Sequence, residues 1–190
     1  MIKLVYALTL ALSGASLALQ GNNDQGNLRA STSNLERRPP SAFPQLPKNI
    51  ARNLQARGCT IPQADFEPKP NNVISGEFAM RRRTDWAVLC SRDGKSSILV
   101  YWGGSVNSPA ELAKAPDEGY WLGNDKEGFH YYRQIMTANK KYILLHYREY
   151  GRGEFIPQIN HDGIDDGFLE KGSEVYYFYR HKWLLLPGAD

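Results

Sequence analysis

The chain has 190 residues, with 23 Lys plus Arg against 20 Asp plus Glu and a formal charge of +3. So small a basic excess does not argue for nucleic-acid or membrane binding. Aromatic residues make up 12%, with 11 Tyr and 4 Trp, a composition that suits a β-rich extracellular domain.

Lys3 precedes an apolar run from Leu4 to Leu12, broken only by Thr9, and Ser16-Leu17-Ala18 then supplies small residues for cleavage. This is the pattern of a secretory signal peptide over residues 1–18. The run is shorter than the roughly 20 apolar residues of a membrane-spanning helix. No second long apolar run follows, so the mature chain is expected to carry no transmembrane segment and to be secreted or periplasmic. About 170 residues remain, one domain's worth, enough to bury roughly 70% of the unfolded surface. Residues 19–43 are rich in Asn, Ser, Gly, Gln, Arg and Pro without a hydrophobic period, and read as a disordered linker. Residues 44–190 read as a single domain.

Pro47 suits a first helical position, Ile50 and Leu54 follow at i, i+4, and Arg57-Gly58 forms a stop. A short amphipathic helix over 47–57 is predicted, with Cys59 just past its end. Residues 61–72, holding Pro62, Pro68 and Pro70, read as an extended loop. Residues 73–78 are the first strand. In "DWAVLCS", Asp85 to Ser91, Trp86, Val88 and Cys90 share one face, while Ala87 and Leu89 take the other. Both faces are apolar, so this strand is expected at the centre of a sheet. Asp93-Gly94 is a hairpin turn, because it tolerates positive φ, and Ser97 to Trp102 returns antiparallel. Residues 103–119 read as a loop with one helical turn near Pro109 to Ala113. Residues 129–136 and 142–147 read as a second hairpin, 151–167 as irregular, and 175–179 with 183–186 as a last hairpin across Arg180-His181-Lys182. The fold class expected is α+β: mainly antiparallel β-sheet with one N-terminal helix packed on it.

Cys59 and Cys90 are the two cysteines, and outside the cytoplasm they predict one disulfide. It would close a loop of about 31 residues, worth roughly 3–4 kcal/mol in the chain-entropy account. The alternative of free thiols lacks a CxxC partner or a histidine nearby in sequence.

The stretch "HDGIDDGFLEKGSEVYYFY", His161 to Tyr179, concentrates acidic residues. Counted from Asp162, the spacing of an EF-hand fails at Ile164 and Ser173. A looser calcium site would draw on Asp162, Asp165, Asp166 and Glu170. The competing reading is a pair of Asp-Gly turns, with Ile164 and Phe168 plugging the core. His161-Asp162 is also an acid–base or metal pair in other contexts, though only four histidines are present. His130 and His146 would face each other across the second hairpin, half of a zinc site, or stand as ordinary strand histidines. Arg81, Arg82 and Arg83 form a basic run that suits either an anionic partner or a solvated turn. Aromatic residues, Trp102 and Trp121 among them, would line a peptide- or glycan-binding face or pack in the core.

Two resemblances add to this reading. "GEFAMRRRTDWAVLCSRDGKSSILVYW" resembles one FG-GAP-type propeller unit, and "DDGFLEKGSEVYYFYRHKWLLL" is a fainter copy. That family's unit carries an aspartate-rich calcium loop, whereas residues 79–84 here carry three arginines and no carboxylate. The metal role therefore does not carry over. "GCTIPQ", "DWAVLCS", "HDGIDDGF", "EKGSEVYYF" and "KWLLLPGAD", in this order, resemble a family of uncharacterised secreted bacterial proteins. That resemblance implies bacterial export and no particular activity.

The function expected is a secreted or periplasmic, non-catalytic binding or inhibitor-like module whose partner is an envelope protein, peptide or glycan. No nucleic-acid partner and no cofactor are expected, calcium being the one candidate. The alternative is a small metal-dependent hydrolase, calcium or zinc, built on residues 161–170. Of the expected site residues, Cys59 and Cys90 are structural. Trp102, Trp121 and Arg81 to Arg83 are candidates for binding.

Overall fold

Strand β4, Asp85–Arg92, buries both of its faces, and the molecule is layered around that fact. In the computed structural model, residues 35–190 are described, apart from 125, 127, 152 and 154. The predicted signal peptide and residues 19–34 of the predicted linker lie outside the described residues. The linker reading does not hold to residue 43. Leu35 is buried, Arg37–Arg38 form strand β1, and Phe43 joins the core.

Two four-stranded antiparallel sheets make up most of the fold. The first has the order β3-β4-β5-β6, with β3 at Val73–Gly76, β5 at Lys95–Tyr101 and β6 at Ala110–Pro116. In the second, strand β9, Arg133–Ala138, is followed across the sheet by β10, Gly163–Phe168, β11, Gly172–Tyr179, and β12, Lys182–Pro187. Two short ribbons accompany them. Strand β2, Ile61–Pro62, pairs with β1, and β7, Trp121–Asn124, pairs with β8, Gly128–Tyr131.

Alternation sorts the side chains into three apolar layers. Helix α1, Lys48–Ala56, lays Ile50 and Leu54 on Val88, Cys90, Leu99 and Tyr101. The opposite faces of β4 and β5, carrying Ala87, Leu89, Ile98 and Val100, meet Ile135 and Ile164 of the second sheet. Helix α2, Lys140–Tyr150, covers that sheet's far face, where Ile143 packs with Val175, Tyr177 and Leu186. The order through the molecule is therefore helix, sheet, sheet, helix. Mainly antiparallel α+β architecture is as expected, with a second helix beyond the N-terminal one. The predicted disulfide joins Cys59 to Cys90, with Cα atoms 5.2 Å apart, and ties the end of α1 to β4.

Asn72 holds the two sheets together where β3 approaches β9. It is buried with φ +68, and its Nδ2 donates to the carbonyls of Pro62 at 2.7 Å and Arg133 at 3.2 Å. Its Oδ1 accepts from the Ile135 amide at 2.9 Å, and Thr137 Oγ1 adds a bond to the Ser75 carbonyl at 3.1 Å. Asn tolerates the left-handed region better than most residues, so one side chain serves both the backbone turn and the joint.

Four local expectations are corrected. The predicted strand 142–147 is the centre of α2. Asn139 caps that helix by accepting from the Tyr142 amide at 3.0 Å. The predicted loop 103–119 contains β6, which supplies the partner that β5's outer edge requires. A bulge opposite Ser96 and Ile98 lets it follow, with Ala113 at φ +52. The predicted strand 129–136 is broken at Tyr132 into β8 and β9, which belong to different sheets. Residues 163–167 are not irregular and the two Asp-Gly pairs are not turns: both lie at or in β10. Gly163 is there for close approach, since a Cβ would come 2.6 Å from Val175 Cγ1.

Candidate functional site

Strand β10 disperses the carboxylates that the sequence gathers. Asp165 points to the α2 side, opposite Val175 and Met136, while Asp166 points between the sheets. There Asp166 takes a two-pronged bond from Arg133, Nε to Oδ1 at 3.0 Å and Nη2 to Oδ2 at 2.8 Å. Asp162 Oδ2 accepts from the Glu77 amide at 3.0 Å, and Glu170 is exposed at the β10–β11 turn. Among the described residues, no three His, Cys, Asp or Glu side chains stand together as a metal-holding group. His130, on β8, pairs with Asp65 at 3.3 Å, and His146, on α2, with Glu149 at 3.5 Å. The facing histidine pair across one hairpin therefore does not form.

The predicted binding residues fare differently. Arg81, Arg83 and Trp102 line one groove of about 690 Å³, together with Phe178, Tyr179, Arg180 and His181. Asp85 builds one wall. Fully buried, it accepts from the amides of Ala79 at 3.0 Å and Gly103 at 2.7 Å, and from Arg83 Nε at 2.9 Å. The 79–83 turn, the end of β5 and the Arg83 guanidinium are thus organised by one carboxylate. Arg83 lies over the Trp102 ring, 5.8 Å from its centre. Trp102 in turn stacks on Trp183 at 5.6 Å and meets Phe178 at 5.0 Å.

The β11–β12 hairpin forms the other wall. Tyr179 pairs with Lys182, so Arg180 and His181 make a two-residue turn. Both have positive φ, +48 and +64. Such turns ordinarily take Asn-Gly, because L side chains are strained there. Here two cationic-type side chains occupy the strained positions, and the Arg180 guanidinium lies 5.2 Å over the Tyr179 ring. His161 closes the floor. Its ring stacks on Tyr177 at 4.3 Å, and its nitrogens lie 2.8 Å from the Asp162 carbonyl and 2.9 Å from the Phe178 carbonyl. An adjoining hollow of about 380 Å³ adds Lys140 beyond Arg81.

Arg82 sits at the apex of its turn with φ +62, exposed beside the groove rather than in it. Trp121 is elsewhere: it is buried with Leu35 and Tyr131, in the packing role rather than the binding one. Tyr179 belongs to the aromatic residues weighed for a binding face, whereas Phe178, Arg180 and His181 were not singled out for binding in the sequence. The signal available for them was Arg180-His181 standing where a tight hairpin calls for Asn-Gly.

No family model, curated protein or solved structure matches the chain. Among the described residues, no helix is long and apolar enough to cross a membrane.

Proposed function

We propose that the chain is an exported, non-catalytic binding module that takes an acidic peptide segment of an envelope partner in the Trp102–Arg180 groove. The observation that carries this is the convergence of Arg81, Arg83, Arg180 and His181 on a groove walled by Trp102, Phe178 and Tyr179. Arg83 is already paired with Asp85, but among the described residues Arg81 and Arg180 are in no ion pair. Those two supply positive charge to a ligand, while the rings and exposed Met80 supply apolar contact. Aromatic and Arg side chains are the usual anchors of such interfaces. The disulfide is consistent with export.

The test is a fluorescence titration of a tryptophan-free, Glu- and Phe-containing peptide, with Trp102 as reporter. Binding that weakens as salt rises is expected. The double variant Arg180→Asn, His181→Gly relieves the strained turn and should raise stability by about 0.5–1 kcal/mol while weakening the peptide at least 5-fold. A variant that folds better and binds equally well removes the groove from the function.

A further inference from the structure

A second cavity, of about 860 Å³, opens at the other end of β11 and shares no lining residue with the groove. We propose that this cleft binds a neutral sugar, with Asp166 accepting hydrogen bonds from neighbouring ring hydroxyls and Tyr176 and Phe168 offering apolar faces.

The floor is held by the five N–H donors of one guanidinium. Arg133 is 0% exposed, and its donors that are not on Asp166 go to Ser96 and Ala113. Nη1 reaches the Ser96 carbonyl at 3.2 Å and Oγ at 2.8 Å, and Nη2 reaches the Ala113 carbonyl at 2.7 Å. The Tyr120 ring lies over the guanidinium at 4.5 Å and meets Phe168 edge-on at 5.4 Å. The two-pronged bond stops the Asp166 carboxylate from rotating, and Arg133 balances its charge. The Asp166 side chain keeps 8% exposure, and it lines the cleft. Each carboxylate oxygen accepts more than one hydrogen bond, so acceptor positions remain open to a ligand.

Rim and walls choose the ligand class. Lys114 and Lys171 stand among Glu149, Glu174 and Asp190, so anions are disfavoured and charges of both signs reach the rim. Hydroxyl groups, which donate to carboxylates and accept from ammonium groups, suit both signs. Aromatic walls suit the C–H face of a pyranose ring. The volume lies within the roughly 300–1,000 Å³ of sites that enclose drug-sized ligands, room for a short oligosaccharide. A buried Arg–Asp pair is a poor stability device compared with apolar side chains of similar size, which is a reason to look for its use in binding.

The experiment is an NMR titration of the full chain with three neutral trisaccharides: maltotriose, cellotriose and chitotriose. Saturable shifts from at least one of them, centred on Tyr120, Asp166 and Tyr176, are expected. Tyr176→Leu, which removes the aromatic face and keeps an apolar side chain, should weaken that sugar at least 10-fold. Asp166→Asn should do the same where it folds. Arg180→Asn, His181→Gly should leave the sugar unaffected, so failure of the acidic-peptide reading and failure of this one are told apart. Absence of saturable shifts with all three sugars at millimolar concentration, shifts centred on the Trp102 groove, or unchanged binding in Tyr176→Leu would overturn the proposal.

Discussion

Asp165 shows how a single residue's environment turns charge into a liability. It is 1% exposed on β10, and its Oδ1 makes no hydrogen bond. Burial raises its carboxyl above the ordinary value of 3.8, against the lowering pull of the Ser173 and Tyr142 hydroxyls. A folded value above the unfolded one means that the native state holds the proton more tightly. Stability on this account is greatest below the unfolded carboxylate range and declines as pH rises through the folded value. Asp165→Asn should therefore be more stable than the parent at neutral pH and should flatten that decline. Urea unfolding across acid-to-neutral pH checks it; a parent that gains stability over the same interval while the variant does not would contradict the sign. Asp166, the next residue along, is instead paired with Arg133, because one step along a strand changes faces.

At the scale of elements, two assignments turned on contacts that local preference does not contain. Residues 142–147 hold Tyr and Ile in a run that reads as strand, yet Tyr142, His146 and Tyr150 meet at helical spacing, with ring centres 4.4 and 6.1 Å apart. Asn139 caps the start of this helix and Gly151 ends it. "AELAKAP" is the converse: helix-forming residues that become β6 because β5 needs an outer partner. Helix α1 and its bridge to β4 were legible, since an i, i+4 apolar pair and two cysteines admit few arrangements. Replacing Cys59 and Cys90 together by Ser should lower stability by roughly 3–4 kcal/mol, mostly by freeing the unfolded chain. Urea unfolding of that variant beside the parent measures it, and a loss under about 1 kcal/mol would assign the tie a minor role.

The whole molecule depends on the seam between its two sheets. Asn72 bonds to Pro62, Arg133 and Ile135 there, and the apolar layer beneath closes only if the seam holds. Asn72→Gly keeps the positive φ but deletes the side-chain bonds, leaving buried backbone groups unpaired. A loss of at least about 2 kcal/mol is expected, together with faster hydrogen exchange at the Ile135 amide. A change below about 0.5 kcal/mol would place the joint elsewhere.

The same long-range packing separates what residues declare from what they do. Alternation in "DWAVLCS", the Asp93-Gly94 turn, the helix beginning after Pro47 and the pairing of two lone cysteines are local or near-local facts, so the residue order alone determined them. The dispersal of Asp162, Asp165, Asp166 and Glu170, and the gathering of Arg81, Arg83, Trp102, Arg180 and His181, depend on which strand faces which across the core. Side-chain spacing along a chain carries no information about that partner, and only the tertiary structure supplied it.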